Sequence, residues 1–175
     1  MNKHSEIKKP LLTLFKFHHC LYNNVLDGFT DEETNQRLHE NRKINHVKYL
    51  AGHLLNSQYG FGFLSGVRFP VKWNELFAPM NHSEAKDDIR YPSIDEIREE
   101  WNAIYEPTWE ALNRLSMDDL NTIPPKPADK VFENSPVFEN TVAGFMTFLN
   151  HHQAYHIGQI GILRRGFGKE PMNYD

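Results

Sequence analysis

From Val142 to Leu163 the apolar residues Val142, Phe145, Leu149, Ile160 and Leu163 recur at helical spacing, and His152 and His156 fill the places between them. This pattern puts all seven on one stripe of a long helix. A helix with such a stripe must lay it against other secondary structure to bury it. Alternating strand patterns are absent along the chain, so the partners must be helices and the fold class is all-α.

Three further stretches supply them. Leu11, Leu14, Phe15, His18, Leu21, Tyr22, Val25 and Phe29 form a first periodic series, with Pro10 at a position where a first helical residue tolerates it. Gly28 ends it, and Thr30 is placed to cap a short turn at Glu32 or Glu33. A second helix starts at Asn45 or His46, carries Leu50, His53, Leu54, Ser57, Phe61 and Leu64, and closes at Gly66. Residues 67–91 lose the pattern, with Pro70 and Pro79, apart from a short helical turn expected at 73–77. Ser93-Ile94-Asp95-Glu96 reads as a capping box opening a third helix with Ile97, Trp101, Ile104, Leu112 and Leu115. Pro107 predicts a kink there or two abutting segments. A short turn at 116–119 and a proline-rich loop at 124–136 precede the last helix, capped by Asn140 or Thr141 and ending near Gly166 and Gly168. Residues 1–9 are expected as a flexible tail and 10–175 as one domain.

Composition agrees with a packed core: 39% of residues are hydrophobic and 24% charged. The net charge of -4, with basic residues scattered, argues against nucleic acid. No apolar run of membrane length and no leader pattern is present, so a cytoplasmic location away from membranes is expected. Cys20 is the single cysteine, with no partner for a disulfide and no second thiolate for a metal cage. Its place beside Phe17 and Leu21 predicts a buried thiol.

Histidine is in excess, with ten copies, so a pair at spacing four is no rarity. What gives His152 and His156 weight is their inward position, where ring nitrogens left unpaired cost about 1–3 kcal/mol each. A metal satisfies them; so do hydrogen bonds to Tyr, Ser or backbone groups. His53, on the inner stripe of the second helix, is placed to add a third nitrogen, and bundle cores build metal sites this way. Three such ligands leave a position open for water or substrate. His46 sits at a helix start, where capping or packing is the plainer role. His18 and His151 suit core or supporting positions, and His4, His39 and His82 carry little signal. Asn56, Ser57 and Gln159, three or four residues from a candidate ligand, are placed to orient a nucleophile. The pair matches the zinc-protease H-E-x-x-H pattern only in spacing, because Gln153 stands where the general base would be. Neither a Gly-x-Ser-x-Gly elbow nor a Gly-rich phosphate loop occurs.

Several blocks resemble the DinB family, also called DinB/YfiT-like, which shares a superfamily with bacterial thiol-dependent transferases. They are Phe29-Thr30-Asp31-Glu32-Glu33, the run from Asn45 to Leu54 ending Gly52-His53-Leu54, the stretch from Tyr91 to Trp101, and Leu115 to Leu120. The most specific is His152-Gln153-Ala154-Tyr155-His156-Ile157-Gly158-Gln159, followed by Leu163-Arg164-Arg165. The resemblance implies a four-helix bundle in up-down-down-up order, with long loops between helices two and three and between three and four. It implies metal ligands at His53, His152 and His156, and pairing as homodimers; Gly158 and Gly161 mark a face of close approach. Gln153 departs from the Glu of many relatives. One divalent ion is expected, drawn from zinc, nickel, iron and manganese. The expected function is transfer of a low-molecular-weight thiol to a small electrophilic substrate. The alternatives are a metal-dependent hydrolase and a non-catalytic module binding a metal or small ligand.

Overall fold

A computed structural model describes residues 7–77 and 84–174. The expectations on residues 1–6, among them His4, and on Pro79 and His82 lie outside the described residues. Six helices and no strand occur among the described residues. They are α1 (Lys8–Leu26), α2 (Asp31–Thr34), α3 (Val47–Leu64), α4 (Ile94–Arg114), α5 (Met117–Leu120) and α6 (Val142–Gly166). Single 3₁₀ turns add Leu38–Glu40 and Ala128–Lys130.

The helix starts follow from side chains that satisfy the free backbone N–H groups of a first turn. Thr30, Ser93 and Ser116 each make a reciprocal capping box, with Glu33, Glu96 and Asp119. Thr141 accepts from the Gly144 N–H at the head of α6. Pro10 is the third residue of α1 rather than the first, still within the turn whose donors need no partner. Gly28 and Gly66 take positive φ, +75° and +87°, where the chain leaves α1 and α3. Residues 73–77 form a hydrogen-bonded turn instead of a helix. α4 runs through Pro107 as one helix, so the sequence does not split into two segments there.

The four long helices pack around a common core, α3 against α4 and α6, and α1 against α6 and α4. Aromatic rings fill it. Tyr22 stacks on Trp101 with centroids 3.9 Å apart, and Phe15 meets Phe61 edge-on at 4.8 Å. Lys48, buried at the start of α3, pairs with Asp31 at 2.6 Å, and the same carboxylate oxygen accepts from the Ile94 N–H at 2.8 Å. One side chain of α2 thereby ties the heads of α3 and α4 together. Burial raises the Asp31 pKa, but Lys48 and the Ile94 N–H outweigh it and hold the carboxyl below its usual range.

Two expectations fail on helix phase. Cys20 is exposed, because it lies two residues past buried His18, about 200° around α1. Leu14 is likewise 42% exposed, one residue off the stripe that Leu11, Phe15, His18 and Tyr22 define.

His46 caps α3: its Nδ1 accepts from the Tyr49 N–H at 3.0 Å. Burial first, then the cations Arg37 and Lys48 against Asp87, push its pKa down to about 4. The unfolded chain, with a histidine pKa of about 6.5, therefore binds the proton more readily. The cap's contribution is full above about pH 6.5 and is lost as pH falls toward 4. His46→Asn keeps a capping acceptor without this titration. In urea denaturation of metal-free protein, the variant should lose about 2 kcal/mol less stability than wild type between pH 7 and 4.5. Equal losses would remove His46 as a titrating cap.

Candidate metal centre

His53 lies near the middle of α3, and His152 and His156 stand one turn apart on α6, so the packing of these two helices brings the three rings together. Their candidate ligand nitrogens lie within 4.8 Å of one another. The Nε2 atoms of His53 and His152 are 2.9 Å apart. Nitrogens bonded to one ion at about 2.0–2.1 Å stand roughly 3 Å from each other, so small ring rotations close the set on one atom. Among the described residues no carboxylate or thiol joins the cluster.

The far side of two rings is tied down. Nδ1–H of His53 donates to the Phe77 carbonyl at 3.3 Å, and Nδ1–H of His156 donates to Gln159 Oε1 at 2.7 Å. Each bond selects the tautomer whose Nε2 lone pair faces the cluster, the usual way a supporting group orients a ligating imidazole. Asn56 Nδ2 donates to the same Phe77 carbonyl at 3.1 Å. Tyr49 lies nearly parallel to His53, with centroids 6.0 Å apart.

Burial is the main reason that the His152 pKa falls to about 3; His156, His53 and His151 lower it further. Burial also lowers His156 to about 4, against the raising effect of Gln159, with His53 adding to the fall. Both rings are neutral at pH 7, the form that a metal requires. The donor set, its closeness and its tautomers all fit a divalent ion held by three imidazoles.

The other sequence candidates separate cleanly. Gln159 and Asn56 reach the site as described. Ser57 turns away: its hydroxyl donates to the Leu54 carbonyl at 2.6 Å and accepts from Gln153 Nε2 at 3.1 Å, inside the α3–α6 interface. Gln153, fully buried, also reaches Gln58 at 3.2 Å, so it bridges helices and does not face the three rings. His46 caps, His18 is in the core and His151 is exposed. Phe77 is the participant that sequence reasoning missed. A backbone carbonyl has no residue signature, although Gly52, against which the Phe77 ring packs, was a pointer to close approach.

A family model described as the DinB superfamily matches residues 15–160. No curated protein matches the chain.

Proposed function

Because this chain belongs to the DinB superfamily, we propose that it is a divalent-metal-dependent enzyme that transfers a small thiol to an electrophile. The observation that carries this reading is the convergence of three imidazoles with no fourth protein ligand among the described residues. A bound zinc, nickel, iron or manganese ion would supply a Lewis acid with an open position, lowering the pKa of a thiol or water beside it toward about 7.

His53, His152 and His156 hold that position. The Phe77 carbonyl keeps His53, and Gln159 keeps His156, in the ligating tautomer, and Asn56 shares the carbonyl, so one anchor steadies both His53 and Asn56. Gln153 is an amide and faces Ser57 and Gln58, so it offers no general base for hydrolysis. Thiol chemistry has less need of one, since a thiol starts from a pKa near 8.5. The sulfur forms the new S–C bond, the leaving group departs with its electron pair, and the thiol proton passes to solvent.

The proposal includes the up-down-down-up order of the four long helices and their long intervening loops. It also includes a homodimer through the outer face of α6. Tyr155 and Ile162 are exposed there, 58% and 70%, and a Cβ at Gly158 would meet nothing within 4 Å. Gly161 belongs to another surface, near Met172 and Val25. Sedimentation at tens of micromolar should show a dimer; a monomer removes this part. A cytoplasmic location is proposed as well; no described helix is long and apolar enough to cross a membrane.

The activity test compares metal-loaded protein, apoprotein and His156→Ala. Each is assayed with small thiols plus an alkylating electrophile, and with ester and amide substrates lacking thiol. Turnover that needs both thiol and metal is the expected result. Metal-dependent turnover only without thiol would make the protein a hydrolase, and none in either assay would make it a binding module.

A further inference from the structure

Beside the three histidines, between α3 and α6, lies a cleft of about 440 Å³. Its walls include Phe63 of α3, Phe145 of α6, and Val71, Asn74 and Val131 from the connections that close over that end. Asn56 lines the end nearest the metal centre. It follows His53 by three residues, hence on the same face of α3, and its amide holds the Phe77 carbonyl that also anchors His53. From the other side Phe145 contacts Phe148, and Phe148 contacts His152, with ring centroids 6.2 and 5.8 Å apart. Asn56 therefore stands between the cleft and His53, and one further ring, Phe148, separates the cleft wall from His152.

Among the described residues no charged side chain lines this space. In the metal-free protein, a carboxylate or ammonium entering it would lose hydration with no opposite charge among the described lining residues to replace it. The volume falls within the roughly 300–1,000 Å³ of small-molecule pockets. One polar atom at the inner end is unmatched: Asn56 Oδ1 is buried and accepts no hydrogen bond. A buried acceptor in that state favours a ligand that brings a donor to it.

We propose that the cleft takes the uncharged alkyl or aryl portion of the substrate, whose polar end bears an N–H or O–H donor and meets Asn56 and the three histidines. The inference rests on reading those histidines as the reacting centre, and it names the substrate class they serve. In the metal-free protein the lining disfavours a free acid or amine of the same length, and a hydrocarbon without a donor leaves Asn56 unmatched.

Octanamide, octanoate, octylammonium and octane-derived methyl ketone (2-nonanone) serve as probes on metal-free protein, with binding followed by NMR titration. Octanamide should bind at least about tenfold more tightly than either ion and more tightly than the ketone. It should shift the imidazole resonances of His152 and leave those of His39 in place. Val71→Asp puts a charge on a half-exposed residue of the wall, outside every helix, so the fold is retained. That variant should lose octanamide affinity at least about tenfold while its zinc affinity, titrated separately, stays as in wild type. Equal binding of octanoate, an indifferent Val71→Asp or an unmoved His152 would overturn the proposal. Absence of zinc binding with octanamide binding intact would instead sink the metal reading, so the two failures are distinct.

Discussion

Replacing His53, His152 or His156 with Ala should each abolish stoichiometric metal uptake, measured by metal analysis of untagged protein. The three nitrogens lie within 4.8 Å, and no other described histidine, cysteine or carboxylate belongs to the group to take a lost ligand's place. Two imidazoles leave an ion held mainly by water, and affinity should fall by more than the roughly 10–100-fold that loss of a supporting group costs. Gln159→Leu provides that lesser case, because it frees His156 Nδ1 without removing a ligand. His46→Ala, which breaks only a cap, should leave occupancy intact while lowering stability by about 1 kcal/mol. Full metal with unchanged affinity in any of the three ligand variants would show that the ligand set is wrong.

The convergence of these histidines was legible in the sequence because an inward-facing imidazole on a helix obeys the same periodicity as the core. His152 and His156 replace apolar residues in a stripe, and His53 does so on α3, so the rule that buries Leu149 and Leu54 also directs imidazoles inward. Caps were legible for a similar reason, since Ser93, Thr30 and Thr141 act on backbone groups three residues away. Phase was less legible. Leu14 fits the spacing of α1 yet stands exposed, because apolar spacing marks a stripe about 100° wide without marking its edges, and Cys20 was misplaced by the same ambiguity. Ser57 shows a different limit: its position four residues after His53 is right, but the hydroxyl chooses its partners only once Gln153 is packed against it. Long-range backbone contacts were the least legible, as Phe77 comes from a connection without periodicity and contributes its carbonyl to the histidine cluster.

Gly52→Ala should damage that carbonyl's support more than its size suggests. A Cβ at position 52 would stand 2.2 Å from two atoms of the Phe77 ring, far inside van der Waals contact. The ring is fully buried and has no solvent to swing into, so either α3 or the 65–77 segment must shift. Helix propensity favours Ala over Gly by up to about 1 kcal/mol, but overpacking a dense core costs about 1–3 kcal/mol and wins. The displaced segment carries the acceptor of both His53 Nδ1 and Asn56 Nδ2, so metal affinity should fall about 10–100-fold although no ligand is altered. Gly161→Ala is the matched control, since its Cβ would meet only Met172 and Val25 at 3.8 and 4.0 Å, ordinary contact; it should gain up to about 1 kcal/mol and bind metal as wild type does. Adding Phe77→Ala to Gly52→Ala removes the collision while keeping the carbonyl, so the double variant should recover metal affinity relative to Gly52→Ala alone. Urea midpoints and zinc titrations of the set decide the matter: a Gly52→Ala protein as stable as wild type and as tight for zinc would mean that the Phe77 segment does not hold His53.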